Sequence, residues 1–564
     1  MPAETLNPRR VGELITVQVI ENLLLSVADE MGAVLKRASY STNIKERADF
    51  STAIFDAEGR VVAQAQHIPV HMGGLAGAVS RLRGAPELHP FRDGDVFITN
   101  DPYTGGGTHL PDITMVAPVF LADRLIGFSA VIAHHSDVGG HVPGSNSGDS
   151  TSIYMEGLRI PLVRLMRAGE LDDAVVRFIL LNSRLPDERS GDLHAQLASL
   201  RVGSRRLQEV FEKYGAEVVE SACDELLDYA RRRLALAVER IPDGVYHGID
   251  WLDADEDDGA AVPIEVTIRI EGEAIHLDFA GTGPQTFSSA INVVRSALEA
   301  TVYYSLKAAL DPDIPANGGF FDAVRISTEP GSLVDPTPGA PVAARTDACQ
   351  RVADVVLLAL GEALPRRIPA ESHSTITYVN FSGRSTEGEF FVYPEVVAGG
   401  GGARPAADGL DAVQVHVTNS SNLPVESLEA EYPLLVERYE LITDSGGAGE
   451  HRGGLGVRRD VRILAESAEF SAHADRHGLP PRGAAGGLDG SPGRFVVRPG
   501  TDGERTLPRG RVSGVLLRHG DVMRVESPGS GGYGDPLRRP RPLVEEDLAN
   551  GRITPRAATE LYGL

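Results

Sequence analysis

The chain has 564 residues, of which 42% are hydrophobic and 24% charged, and its length predicts about three or four domains of a soluble globular protein. The formal net charge of −25 disfavours nucleic acid and anionic lipid as partners, because their phosphates would be repelled. The sequence has no apolar stretch of membrane-spanning length, and its first residues lack an apolar signal segment. Its two cysteines, Cys223 and Cys349, are too few for a disulfide scaffold or a cysteine-rich zinc site. We therefore expect a cytoplasmic protein.

The N-terminal residues predict a helix followed by two strands. Apolar residues recur at helical spacing over residues 11–37. Residues 50–55 and 60–65 then form two β-prone runs around the turn sequence DAEG. The sequence HIPVHMGG, which carries His67 and His71, is predicted to be a loop, and either histidine is a candidate for proton transfer.

The next stretch predicts a β-hairpin with chemically active side chains at one end. Its strands are the apolar runs 113–120 and 125–133, joined by a short polar turn. A hairpin would bring the start of the first run and the end of the second to the same edge of a sheet. Glycines at 105–107 and 139–140 are expected to let backbone or a ligand come close. The ligand-type residues at this edge are His109, Asp112, His134, His135 and Asp137.

This edge is the best candidate for a metal site. Imidazole and carboxylate ligands suit zinc, manganese or iron(II), and three or four of them leave positions open for water or substrate. His134 and His135 are adjacent on a strand and face opposite ways, so one of them can join His109. Asp49, in the sequence RADFS, either supplies a further carboxylate or acts as a turn residue. Spacing alone also allows hydrogen-bonded loop histidines beside a glycine turn.

The rest of the chain predicts further helices and then a β-rich region. An acidic loop over residues 242–259 suggests a boundary, a hairpin covers 264–279, and short strands with glycine turns dominate from residue 374 onward. Helices are predicted over residues 187–214, 216–238, 292–310 and 349–364.

Together these elements predict a mixed α/β, multi-domain protein. The predicted parts are an N-terminal metal-site region with hairpins and long helices, a middle α/β region, a β-rich C-terminal region and a charged tail ending in a short helix. Their boundaries are residues 1–240, 241–372, 373–540 and 541–564.

Other motifs are weaker evidence for a functional site. The sequence HADRH, residues 473–477, is compatible with a metal, but its Arg476 favours an anion or carboxylate contact. Asp253, Asp255 and Asp257 imitate a calcium loop that lacks its glycine and its closing glutamate. The GSGGYG sequence near residue 530 is not followed by a predicted helix, and the chain has no phosphate-loop sequence, so any ATP is expected on another chain.

Five longer motifs resemble the hydantoinase B/oxoprolinase family: NIKERADFS, QHIPVHMGG, NDPYTGGGTHLPD, AHHSDVGGHVPG and PGSGGYGDP. The resemblance extends from about residue 10 to about residue 540. The family includes the B-type subunits of ATP-dependent hydantoinases, the C-terminal half of 5-oxoprolinase and the alpha subunit of acetone carboxylase. It implies an A-type partner of actin-like ATPase fold that phosphorylates the substrate, and a metal site in this chain that completes the reaction.

The resemblance also implies roles for individual residues. The family's ligands come from the THLPD and AHHxD motifs, here His109, Asp112 and His134, and relatives carry tryptophan at the position of His135. Asp49 of the DFS motif is implied as a further ligand. Asp137 and His71 are implied as neighbours that orient ligands or move protons.

The resemblance leaves three functions open. The first is a subunit that opens a hydantoin- or oxoproline-like cyclic amide with zinc, manganese or iron in this chain and ATP on the partner. The second is the alpha-type subunit of a ketone carboxylase, which would depend on bicarbonate. The third is a scaffold subunit that binds and stabilises the ATPase without catalysing a step itself.

Overall fold

The computed structural model describes residues 8–254 and 259–564, with side chains from residue 14 onward. Its first part is built on a seven-stranded antiparallel sheet of order β2-β1-β5-β4-β3-β6-β7. The strands are β1 Phe50–Phe55, β2 Val61–Gln64, β3 Val96–Thr99, β4 Asp112–Leu121, β5 Arg124–His134, β6 Val163–Arg167 and β7 Glu170–Leu171. The helices are α1 Pro8–Ala38, α2 Thr42–Lys45, α3 His71–Arg83, α4 Asp173–Leu181, α5 Pro186–Tyr214 and α6 Ala216–Val238.

Helices cover both faces of this sheet at the hairpin. The main-chain oxygen of Leu200 in α5 accepts a hydrogen bond from Ser129 of β5. On the other face, a Cβ added to Gly74 of α3 would touch Ile132 of the same strand. Successive side chains of a strand point to opposite faces, so odd-numbered residues of β5 face α5 and even-numbered ones face α3.

The middle part is a four-stranded sheet packed with helices. Its order is β11-β10-β9-β8, with β10 and β11 parallel and the other pairs antiparallel. The elements are β8 Gly244–Leu252, β9 Val262–Glu271, β10 Ala274–Asp278, α7 Arg295–Leu310, α8 Gly318–Phe321, β11 Val324–Ser327 and α9 Arg345–Ala363. One hydrophobic cluster contains residues from Ile20 to Val417 and joins this part to the first. The predicted domain boundaries remain predictions.

The C-terminal part contains two sheets with a hydrophobic core of their own. Their orders are β13-β12-β16-β19 and β14-β15-β20-β17-β18. The elements are β12 Tyr378–Arg384, β13 Phe390–Val396, α10 Val425–Glu431, β14 Leu434–Leu441, β15 Val457–Ile463, β16 Ser467–His473, β17 Arg494–Val497, β18 Arg505–Thr506, β19 Val512–Arg518, β20 Val522–Glu526, α11 Arg541–Ala549 and α12 Pro555–Glu560. The charged tail packs against this part, since Asp547 of α11 lies 3.4 Å from Arg452.

Glycine-rich loops of this part pack main chain against main chain. A Cβ added to Gly402 would overlap the carbonyl oxygen of Ala370, and one on Gly531 would overlap that of Arg482. These glycines are required by close approach of neighbouring backbone rather than by turn conformation. The GSGGYG sequence belongs to this packing, in agreement with its rejection as a dinucleotide-binding motif.

The mixed α/β fold, the long N-terminal helix, the hairpin of β4 and β5 and the β-rich C-terminal part are confirmed. Two predictions are wrong. His71, predicted to lie in a loop, is the first residue of the unpredicted helix α3, and β8 occupies residues 244–252 of the acidic loop predicted over residues 242–259. Asp255 and Asp257 of the rejected calcium motif lie outside the described residues. Among the helices that are described, none is both long and apolar enough to cross a membrane.

Candidate metal site

The hairpin of β4 and β5 brings three of its five ligand-type residues together: His109, Asp112 and His134. Asp112, the first residue of β4, lies directly opposite His134, the last residue of β5. Residues that face each other across an antiparallel pair project to the same side of the sheet. His109 stands in the turn before β4, where the main-chain oxygen of His109 accepts a hydrogen bond from the amide of Asp112.

Three buried side chains form a compact group at this edge. One ligand atom from each of His109, Asp112 and His134 lies within 4.8 Å of the others. His109 Nε2 is 3.2 Å from Asp112 Oδ1, and both atoms are buried without a hydrogen-bond partner. Unsatisfied polar atoms in a protein interior are costly, and these two are of the type that binds divalent metals. The residues present therefore fit a metal ion.

The orientation of His109 is fixed from its far side. Its Nδ1 lies 3.1 Å from the carbonyl oxygen of Ala343 and therefore carries the hydrogen, which leaves the Nε2 lone pair directed at Asp112. Burial, followed by the charge of Arg345, lowers the pKa of His109 to about 4. The imidazole is neutral at physiological pH, as a metal ligand must be.

Asp112 is held as a carboxylate by its neighbours. Burial alone would raise its pKa, but His109, His71 and Arg345 hold the pKa well below the usual range. Its Oδ2 accepts hydrogen bonds from Arg345 Nη2 at 2.7 Å and from the hydroxyl of Thr108. The second oxygen, Oδ1, remains directed at the histidines.

The structure separates the two histidines of the AHH sequence. His134 faces His109, with ring centroids 5.0 Å apart, and Asn43 donates to the main-chain oxygen of His134 at 2.7 Å. His135 is buried on the other face, where its Nε2 lies 3.0 Å from Oε1 of Gln196 in α5. Burial lowers the pKa of both imidazoles. Of this pair, His134 belongs to the compact group.

Asp49 and His71 adjoin the group from the α3 side. His71 Nε2 lies 3.5 Å from Asp112 Oδ1 and 3.8 Å from Asp49 Oδ1, and its Nδ1 lies 3.2 Å from the hydroxyl of Ser51. Burial raises the pKa of Asp49. His71 thus bridges two carboxylates, of which Asp112 belongs to the compact group and Asp49 stands beside it.

Asp137 has surroundings that differ from those expected. Its carboxylate forms an ion pair with Arg184 at 2.8 Å and accepts hydrogen bonds from the amides of Arg184, Gly139 and Gly144. These contacts hold the loop that follows β5, and none of the contacts found for this side chain in the described chain is with the compact group. We therefore interpret Asp137 as a loop-positioning residue.

Of the two purposes expected of the flanking glycines, close approach of backbone or of a ligand, the structure shows the approach of backbone. A Cβ on Gly106 would overlap the main chain of Gly77 in α3, and one on Gly139 or Gly140 would meet the carbonyl oxygens of Asn182 or Glu156. The space beside these glycines is filled by the protein's own backbone. They bring the loops close to the sheet and to α3.

The HADRH sequence lies in a buried ionic network instead of a metal site. Arg476 pairs with Asp250, Asp354 and Glu371 at 2.8–3.1 Å, and His473 Nδ1 lies 3.0 Å from Asp347. The carboxylate contact that Arg476 suggested is confirmed.

A small cavity opens beside the compact group and reaches the C-terminal part. Its polar lining includes Arg47, Asn146, Arg345 and Tyr378, together with Asp49 and the histidines. The apolar lining consists of Ile68, Val70, Ile376, Val396 and Val417. Neither Arg345 nor the carbonyl of Ala343 could be found from local sequence, because each lies more than 230 residues along the chain from its partner.

Comparison with known proteins places the chain in a family. The profile described as Hydantoinase B/oxoprolinase matches residues 13–536. A putative B-type subunit of a D-/L-hydantoinase from Pseudomonas sp. (strain NS671) is 35% identical over 564 residues, covering 98% of this chain and 95% of that protein.

Two solved structures share the fold. The crystal structure of the ATP-dependent caprolactamase from Pseudomonas jessenii superposes with a TM-score of 0.89 at 30% identity, covering 99% of this chain and 96% of that one. The nucleotide-free structure of acetone carboxylase gives a TM-score of 0.90 over 98% of this chain and 80% of that one, and at 18% identity it shows the fold alone. On the span and identity of these matches, the chain belongs to the hydantoinase B/oxoprolinase family.

Proposed function

We propose that this chain is the B-type subunit of an ATP-dependent amidohydrolase that opens a hydantoin- or oxoproline-like cyclic amide. The observation that carries the proposal is the compact group of His109, Asp112 and His134. In this group His109 Nε2 and Asp112 Oδ1 are buried without hydrogen-bond partners, and both histidines line a cavity. The relatives named as part of a hydantoinase and as an ATP-dependent caprolactamase support this substrate class.

The cofactor we propose is one divalent transition metal, zinc or manganese, with iron(II) also suited to the donor set. His109, Asp112 and His134 would hold it, and Asp49 would supply a further carboxylate. Such an ion, when bound, lowers the pKa of water toward ~7 and polarises a carbonyl.

The protein's own groups have separable tasks in this scheme. Ala343 and Arg345 orient His109 and Asp112, so that the free electron pairs of both converge. His71, between Asp49 and Asp112, is placed to take a proton from the attacking water and to return it to the leaving nitrogen. The apolar cavity wall excludes bulk water from the amide.

Amide activation is assigned to a partner. An amide carbonyl is a poor electrophile, and phosphorylation of its oxygen creates a good leaving group. The sequence has no phosphate loop, so we propose a hydantoinase A-type subunit of actin-like fold as the ATPase, in a hetero-oligomer. The 35% identical relative is itself named as one subunit of a hydantoinase, which supports such an assembly. Two free, buried cysteines agree with a cytoplasmic complex.

The test is the stoichiometry of the reaction catalysed by this chain with an A-type partner. We expect cyclic amide and ATP to give the ring-opened acid, ADP and phosphate, without dependence on bicarbonate. Ketone consumption that requires bicarbonate would instead establish the carboxylase function. Elemental analysis of the purified chain is the companion measurement, and less than about a tenth of an equivalent of transition metal, with no activation by added metal, would contradict the metal site.

A further inference from the structure

Arg47 is a buried cation with no carboxylate partner among the described residues. It follows α2, is 1% exposed, and donates through Nη1 to Asn43 Oδ1 at 2.5 Å and to the carbonyl oxygen of Pro394 at 2.8 Å. Its Nε has no hydrogen-bond partner. Across the described ranges, no ion pair within 4.0 Å involves this guanidinium.

Other equally buried arginines show what is missing at Arg47. Each of them forms an ion pair with at least one carboxylate in the described structure: Arg189, Arg351, Arg459 and Arg476. A buried charge without a counterion costs several kcal/mol, so proteins normally pair it or use it to bind a ligand. Arg47 is the exception among the largest fully buried side chains of this type.

Arg47 lines the same cavity as His71, His109 and His134. It is connected to the compact group through Asn43, whose Nδ2 is 3.1 Å from His134 Nδ1. Asp49, a carboxylate that lines the same cavity, lies beyond ion-pair distance from Arg47 and is 3.8 Å from His71 instead. The charge of Arg47 is therefore available to a molecule in the cavity.

The cavity offers further polar groups that lack partners. Tyr378 is 2% exposed and its hydroxyl is unpartnered, as is the side-chain oxygen of Asn146. Burial raises the pKa of Tyr378 above its usual range, so the phenol keeps its proton and is a hydrogen-bond donor at neutral pH. Both residues line the cavity together with Arg47. The apolar part of the wall, which includes Ile68, Ile376 and Val396, suits the carbon skeleton of a small ring.

We propose that Arg47 and Tyr378 form an anion subsite beside the compact group, which binds an oxyanion of the substrate. The oxyanion is either a carboxylate on the ring or the phosphoryl group that the partner has added. Guanidinium and phenol donors match both, since each presents oxygens carrying negative charge. The inference rests on the proposed function for the nature of the substrate, but the binding of an anion does not depend on it.

The first test measures binding without turnover. Inorganic phosphate and acetate are titrated by calorimetry into the wild-type chain, the Arg47→Met and Arg47→Lys variants and the Tyr378→Phe variant. A hydrogen bond to a charged group is worth roughly 1.5–3 kcal/mol, so Arg47→Met should weaken binding by about ten-fold or more, with Arg47→Lys in between. Arg164→Met, at the other edge of the same sheet, is the matched control and should retain wild-type affinity.

The second test separates the two sources of the oxyanion. The complex with the A-type partner is assayed with two cyclic amides, one carrying a ring carboxylate and one neutral. If the subsite binds the carboxylate, Arg47→Met raises KM about ten-fold for the first substrate and leaves the second unchanged. If it binds the phosphoryl group, kcat falls for both substrates while ATP hydrolysis continues without ring opening.

The results that would overturn the subsite are equally definite. The first is that Arg47→Met binds phosphate and acetate with wild-type affinity. The second is that the wild-type chain binds neither anion and that KM and kcat of Arg47→Met stay within two-fold of the wild-type values for both substrates. If no cyclic amide is turned over by the wild type, the proposed function fails, and the titrations still decide the subsite. Circular dichroism and Arg47→Lys show whether a loss reflects misfolding, because Arg47 also links Asn43 to Pro394.

Discussion

Replacing Asp112 by asparagine keeps the side-chain volume and removes one buried negative charge. The carboxylate is 0% exposed, and its Oδ2 lies 2.7 Å from Arg345 Nη2. At an effective dielectric constant of about 20, two unit charges at this distance attract by about 6 kcal/mol before desolvation is subtracted. Removing one partner of a buried pair costs about 3–5 kcal/mol, because the other charge is left uncompensated.

We therefore expect Asp112→Asn to lower the free energy of unfolding by about 3 kcal/mol, since the amide oxygen still accepts one hydrogen bond. The same substitution removes the anionic member of the compact group, so the metal content should fall as well. Urea-induced unfolding followed by circular dichroism measures the first effect. Elemental analysis after equilibration with a fixed free metal concentration measures the second.

Asp95→Asn is the matched control. Asp95 is 1% exposed, lies 3.3 Å from Arg164, and accepts hydrogen bonds from the amides of Arg92 and Ala168 at another edge of the same sheet. It should lose stability comparably and retain its metal. Wild-type metal content and turnover in Asp112→Asn, with a loss of metal in Asp95→Asn, would refute the assignment of Asp112.

Three further predictions concern other parts of the chain. His134→Asn should abolish metal binding, measured by elemental analysis. His135→Asn should keep the metal, and its free energy of unfolding should be about 1–3 kcal/mol lower than that of the wild type. Equal metal loss in both variants would contradict the assignment of the two histidines to opposite faces. Gly402→Ala should lower the free energy of unfolding, measured in urea, by about 1–3 kcal/mol, because its Cβ would overlap a carbonyl oxygen. Gly361→Ala in α9, whose Cβ would make only ordinary van der Waals contact with Ile368, should raise it by about 0.5–1 kcal/mol, and the reverse order would refute the backbone packing. Burial lowers the pKa of His477 from 6.5 to about 4, so the unfolded chain takes up a proton in this window and the folded chain does not. Stability should fall by up to about 3 kcal/mol as pH decreases from 6.5 to 4, and His477→Gln should make the fall shallower; an unchanged slope would contradict the reasoning.

The hairpin could be predicted from local sequence. The apolar runs that became β4 and β5 are bounded by polar residues, so the ends that carry the ligand-type residues are expected at the same edge of the sheet. The exact pairing of Asp112 with His134 could not be predicted, because it depends on a register shift between Val119 and Phe120. The choice of His134 over His135 needed either the resemblance or the structure, because alternation along a strand gives two faces but does not say which face the site occupies.

Helix α3 could not be predicted because its glycine-rich composition is unfavourable for a helix. Gly73, Gly74 and Gly77 all disfavour a helix. In the folded chain they are needed, since a Cβ on Gly73 would overlap the carbonyl oxygen of Ser296, and one on Gly77 that of Gly106. Close packing of the helix against α7 and the loop before β4 outweighs its low propensity. His71 reaches Asp112 because it is the first residue of this helix.

Strand β8 could not be predicted because a charged residue lies on its buried face and apolar residues lie on its exposed face. Asp250 points inward, to Arg351 and Arg476, while Ile249 and Trp251 point outward and are 39% and 37% exposed. Alternation of apolar and polar residues predicts a strand when the buried face is apolar. Here the buried face carries the ion-paired Asp250 between the core residues Tyr246 and Leu252. Arg345 and Arg47 were missed for a related reason, because their partners come from distant parts of the chain.

The most direct measurement is ring opening of a cyclic amide by the complex of the A-type partner with a chain carrying both His109→Ala and Asp112→Ala. We predict that the doubly substituted chain still assembles with the partner, lacks the metal and gives no ring-opened acid. Assembly with undiminished turnover would contradict a metal-assisted site in this chain and would establish it as a scaffold for the ATPase.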